Sequence, residues 1–122
     1  MIGFSTGLAL SRAQVEGLVA ADPGRIVVVD EAYVDFGGES VLDLIDKYDN
    51  LLVCRTFSKS RSLAGARLGF GAACPARIAE LERVRCSVNP YNVNRMTMAA
   101  AKRTQTHSEA AHKMGCRCAS LC

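Results

Sequence analysis

Cys54-Arg55-Thr56-Phe57-Ser58-Lys59-Ser60-Arg61-Ser62-Leu63-Ala64-Gly65-Ala66-Arg67-Leu68-Gly69-Phe70-Gly71 is the stretch whose reading decides the fold. The apolar run Leu51-Leu52-Val53-Cys54 leads into it, and a glycine-spaced apolar run, Leu68–Cys74, leaves it. Each run is too short for a helix and reads as a buried strand. Between them lie hydroxyls, arginines and a single lysine, Lys59. A polar loop joining two buried strands is where α/β folds place their chemistry.

Working back from the loop, Ser40 is expected to cap a helix to about Tyr48, with Val41, Leu42, Leu44 and Ile45 inward. Before it, Ile26-Val27-Val28-Val29 is a β-branched run, apolar on both faces, which suits a central parallel strand. The strand runs into Asp30-Glu31-Ala32-Tyr33, putting a carboxylate at the C-terminal edge of the sheet. Ser11 with Gln14 forms a capping box, which predicts a helix over Ser11–Ala21, ended by Asp22-Pro23-Gly24. Strand, helix, strand in this order makes a βαβ unit. Downstream, Pro75 starts a helix to about Arg85, Asn89-Pro90-Tyr91-Asn92 breaks it, and another helix runs from about Val93 to Ala101. The fold class expected is α/β, a mostly parallel sheet with helices on both faces.

The totals narrow the function. At 122 residues and 49% hydrophobic, the chain makes one modest domain or a piece of a larger one. The net charge of +3 is mild and the basic residues are spread out, so nucleic acid is not an expected partner. No apolar segment reaches the ~18 residues of a membrane span, and Met1–Gly7 lacks the basic region of a signal peptide. Cytoplasm is the expected location. Cys54, Cys74 and Cys86 sit singly in or beside apolar segments and read as small buried hydrophobes. Residues 1–101 form the expected domain, and Lys102–Cys122 reads as a divergent, poorly packed Cys/His/basic tail. Its Cys116, Cys118, Cys122, His107 and His112 do not match the spacing of a structural zinc site, so no metal is expected.

Three features converge at one sheet edge: Asp30 and Tyr33 after the first strand, Thr56, Ser58 and Lys59 after the second, and Arg67 before the third. Hydroxyls and an arginine bind phosphate. A lysine among cationic groups has the setting for Schiff-base chemistry. An acid opposite can pair with a protonated ring nitrogen. Together these are the parts a pyridoxal phosphate site needs. Each residue also has an ordinary reading. Lys59 could be a solvated lysine, Asp30 could cap the next turn, Thr56 and Ser58 could serve turn hydrogen bonds, and Arg67 could pair with a surface acid. Arg55 and Arg61 read as surface or interface charges, and Tyr91 and Asn92 as residues that cap a helix.

At Val28–Phe36, Arg55–Lys59, Leu63–Gly69 and Pro90–Asn94 the chain resembles the histidinol-phosphate aminotransferases of the fold-type I, class I/II aminotransferase family. The resemblance covers about Thr6 to Ala101. It implies part of the large, cofactor-binding domain of a homodimer, and transamination between histidinol phosphate and 2-oxoglutarate with pyridoxal 5'-phosphate as cofactor. It further implies that Lys59 holds the cofactor covalently and moves the substrate proton, and that Asp30 keeps the pyridinium nitrogen protonated. Tyr33 then bonds the phenolic oxygen, and Thr56, Ser58 and Arg67 grip the phosphate. Phe4-Ser5-Thr6-Gly7 departs from the family's Asn-Pro-Thr-Gly, and the substrate-binding arginine of the family's C-terminal domain has no counterpart in the tail. A truncated gene, or a shifted reading frame near residue 101, would give that pattern. The alternatives are a related activity, such as threonine-phosphate decarboxylation, or a catalytically silent fragment.

Overall fold

The computed structural model describes residues 9–105 and 118–121. The capping box at Ser11 forms as read. Ser11 Oγ accepts from the Gln14 amide, and the Gln14 side chain accepts from the Ser11 amide at 2.9 Å, which starts helix α1, Arg12–Ala21. Its Val15 and Val19 are buried. Asn50 is buried, and its Nδ2 lies within 3.2 Å of the Val19, Asp22 and Arg25 carbonyls. That amide satisfies the exposed end of α1 and fixes the chain as it enters strand β1, Val27–Asp30.

β1 pairs in parallel with β2, Leu51–Thr56, with Asp30 opposite Cys54. β2 pairs antiparallel with β3, Gly69–Ala73. A fourth strand, β4, Cys118–Leu121, pairs antiparallel with β3 and was not foreseen. The strand order is β1-β2-β3-β4. The sheet is therefore mixed rather than mostly parallel. A parallel return needs a crossover, usually helical, and between β2 and β3 there is only the short 3-10 turn Ala64–Ala66. Among the described residues β1 is an edge strand, not a central one, and Val28 is half exposed.

Helices do lie on both faces. On one, Val15 and Val19 pack with Val29, Leu51, Val53 and Ala72. On the other, helix α2, Pro75–Val88, sets Ile78 against Ala73, with Leu52 and Leu81 alongside. Pro75 takes the first helical position, where its missing N–H costs nothing. Helix α3, Arg95–Gln105, brings Ala101 onto Phe57, Leu68 and Phe70, closing a second small core beneath the polar loop.

The helix expected from Ser40 is a 3-10 segment, Leu42–Asp46. Its first polar groups are taken by tertiary partners. The Val41 amide donates to Glu31 Oε1 at 2.7 Å, and the Ser40 carbonyl accepts from Arg12 at 3.1 Å. The tighter i→i+3 ladder, Leu44 N–H to Val41 carbonyl, is what remains. Arg12 also grips Asp43 through two hydrogen bonds, tying α1 to this segment. No helix among the described residues is long and apolar enough to cross a membrane.

Candidate active site

The chemistry-bearing residues lie at the ends of β1 and β2, on two neighbouring loops. The β1–β2 ladder continues one residue past Asp30, because the Glu31 amide donates to the Cys54 carbonyl at 2.8 Å. Side chains alternate along a strand, so Asp30 and Glu31 point to opposite faces. Asp30 is exposed, and its Oδ1 accepts from the Ala32 amide at 2.9 Å. The turn-capping role is therefore real, and it leaves the second carboxylate oxygen open. Glu31 turns inward and is almost fully buried.

Glu31 supports both loops. Its Oε2 accepts from Arg55 Nε at 2.9 Å, Arg55 Nη2 at 2.7 Å and Ser40 Oγ at 3.0 Å. Arg55 Nη2 also reaches Ser40 Oγ at 2.8 Å. The side chain of Arg55 is only 10% exposed, so it is a buried ion-pair partner rather than a surface charge. Sequence reasoning missed this clamp. The signal was an acid and a base at the same depth on parallel strands, Glu31 one residue beyond Asp30 and Arg55 one beyond Cys54.

Lys59 and Tyr33 are brought together. The Lys59 Nζ sits 5.3 Å from the centre of the Tyr33 ring, a cation–π contact. Tyr33 also leans on Phe36, ring centres 6.1 Å apart. Arg61 stacks over the buried Phe57 ring at 5.9 Å, so it too contributes to packing.

Thr56, Ser58 and Arg67 line one cleft of about 500 Å³. Thr56 Oγ1 accepts from the Ser58 amide at 3.1 Å, the ordinary turn bond, which bends the chain and leaves the Ser58 hydroxyl unspent in it. Arg67 takes the left-handed conformation, φ 48° and ψ 50°, and closes the Ala64–Ala66 turn. A non-glycine residue held there costs of order 1–3 kcal/mol, and this one lines the cleft. Asn92, Asn94 and Thr97 line the same cleft. Asn94 caps α3, its Oδ1 accepting from the Thr97 amide at 2.9 Å. Asn92, read only as a helix cap, is thus also a cleft residue. Asp30, Tyr33 and Lys59 lie outside the lining of this cleft, but Cys54, opposite Asp30, lies within it.

Burial and, secondarily, the Asp30 carboxylate push the Cys54 thiol above its usual pKa. A raised pKa keeps Cys54 protonated at neutral pH, so alkylation by iodoacetamide should be slow and should accelerate with rising pH. Asp30→Asn should move that acceleration to lower pH, leaving the burial contribution. A pH–rate profile unmoved by the substitution would separate Asp30 from Cys54.

Residues 5–119 match the family model for aminotransferase class I and II. The chain belongs to that family. Among its relatives, a histidinol-phosphate aminotransferase of Acinetobacter baumannii is 55% identical over 96 residues, 79% of this chain and 27% of that protein. Histidinol-phosphate aminotransferase 1 of Bordetella parapertussis is 57% identical over 97 residues, 80% of this chain and 27% of that protein. The chain thus spans about a quarter of the length of these aminotransferases. A solved structure, the L-threonine-O-3-phosphate decarboxylase of Porphyromonas gingivalis, superposes with a TM-score of 0.73 at 27% identity, over 87% of this chain and 32% of that one. The departure at Phe4-Ser5-Thr6-Gly7 and the tail residues His107, His112, Cys116 and Cys122 lie outside the described residues. Of the tail cysteines only the backbone of Cys118 is described, in β4.

Proposed function

We propose that the chain carries the pyridoxal-phosphate-binding centre of a histidinol-phosphate aminotransferase, exchanging amino groups with 2-oxoglutarate and glutamate. The observation that carries this reading is Lys59 on the face of Tyr33, beside a cleft walled by Thr56, Ser58 and Arg67. The donor set fits the cofactor: an amine, a carboxylate with a free oxygen, a phenol, and two hydroxyls with a guanidinium for a phosphate. When bound, pyridoxal phosphate supplies an electron sink for the substrate α-carbon.

The protein residues have separable tasks. Thr56, Ser58 and Arg67 hold the phosphate by charge-assisted hydrogen bonds. Asp30, at the end of β1, holds a proton on the ring nitrogen. Tyr33 donates to the phenolic oxygen. Lys59 attaches the cofactor and, once displaced, carries the substrate proton at Nζ. Groups for the substrate come from the part of the relatives that this chain does not span, or from a second copy in a dimer. The setting proposed for the whole protein is cytoplasmic amino-acid biosynthesis.

The test is direct. Pyridoxal phosphate added to the purified chain should give a long-wavelength absorbance band, absent in Lys59→Ala, which borohydride abolishes as it fixes the cofactor to Lys59. No band in the wild-type chain, or the same band in Lys59→Ala, overturns the proposal. The similarity to the Porphyromonas gingivalis decarboxylase favours a second reading, cleavage of carbon dioxide from an amino-acid phosphate. Release of carbon dioxide without amine exchange selects it. A band without either reaction selects a third reading, a silent cofactor binder.

A further inference from the structure

The loop that carries Lys59 has a second attachment that the cofactor reading does not use. The Ser62 amide donates to the Lys59 carbonyl at 3.1 Å, so Lys59-Ser60-Arg61-Ser62 is a tight turn, closed by Ser62 at φ 53°. Ser60 follows Lys59 in that turn, and its Oγ donates to Asp35 Oδ2. Asp35 lies in the 3-10 turn Val34–Phe36, two residues after the Tyr33 ring that the Lys59 amine covers. Neighbouring residues of one loop therefore meet Tyr33 and Asp35 of the other.

A cation–π contact at an exposed site is weak, and a lysine stem has much rotamer freedom to lose. Lys59, Ser60 and Asp35 are all exposed, so packing does not hold them. Hydrogen bonds to an ionised group are the stronger kind. The Ser60–Asp35 bond fixes the backbone next to Lys59, leaving only the lysine side chain to settle on the ring.

We propose that Ser60 and Asp35 are positioning residues: their hydrogen bond latches the two loops so that the Lys59 amine stays on the Tyr33 face, ready to take the cofactor aldehyde. The functional consequence rests on the proposed cofactor reading, but the latch can be measured without cofactor.

The experiment is carbon-13 NMR on the whole chain after reductive methylation of its lysines, with no pyridoxal phosphate present. The Lys59 methyl signal, assigned by its loss in Lys59→Arg, should be displaced by the Tyr33 ring current, and Tyr33→Leu should remove that displacement. Ser60→Ala and Asp35→Ala should each lose it, the double variant should lose no more than either single one, and Ser60→Thr should restore it. In unmethylated protein, the two alanine variants should take up pyridoxal phosphate more slowly, on the order of tenfold. A displacement unchanged in Ser60→Ala, or additive losses in the double variant, overturns the latch. A wild-type chain that loses the displacement on Ser60→Ala yet takes up no cofactor supports the latch and overturns the cofactor reading.

Discussion

Glu31→Gln should lower the unfolding free energy by about 3–5 kcal/mol, the range for breaking one side of a buried ion pair. The carboxylate is fully buried and accepts from Arg55, Ser40 and the Val41 amide. Glutamine keeps the size but turns one acceptor into an NH2, which then faces donors. Arg55 is left with its charge buried and unmatched. The loss should appear as a lower urea midpoint at unchanged slope. The effect should reach the site as well, because Asp30 precedes Glu31, and Thr56 follows Arg55, in the chain. A loss below about 1 kcal/mol, the value of an exposed pair, would show that the clamp does not hold the loops.

The second large effect is expected at Phe57. Phe57→Ala should cost about 3–5 kcal/mol, as for other buried aromatics cut to alanine. Phe57 is 2% exposed, meets Phe70 with ring centres 5.7 Å apart, and packs with Leu68 and Ala101. Its backbone closes the loop at both ends, donating to the Leu68 carbonyl at 3.1 Å and accepting from the Leu63 amide at 3.0 Å. The ring is thus the anchor between Thr56 and Ser58. Phe57→Leu, which conserves more of the volume, should recover most of the stability. Equal losses in the two variants would mean that the pocket collapses around any side chain, and would count against the anchor.

Much of this was legible in the residues. The Ser11–Gln14 capping box, the β-branched run before Asp30 and Pro75 at a helix start are signals carried by residue type and spacing, and a helix, a strand and a helix form there. Lys59 and Tyr33 lie on loops that leave one sheet edge, as read, while the cleft lined by Thr56, Ser58 and Arg67 does not take in Asp30, Tyr33 or Lys59. The helix expected from Ser40 is a 3-10 segment, with the Ser40 carbonyl accepting from Arg12 of α1 and the Leu44 amide turned to the Val41 carbonyl. Arg55 was read as a surface or interface charge because its partner, Glu31, lies far from it in the chain. The direction of β3 was misread because apolar runs carry no sign of their direction.

The sequence by itself determined which segments bury and which residues could do chemistry. Burial follows side-chain type and period, and chemistry follows functional groups. The tertiary structure alone decided that the sheet is mixed, that Glu31 and Arg55 hold the two loops from beneath, and that Asn92 and Asn94 line the same cleft as Arg67. Those facts depend on pairings between residues far apart in the chain, and a hydrogen bond across strands leaves no mark on either residue alone.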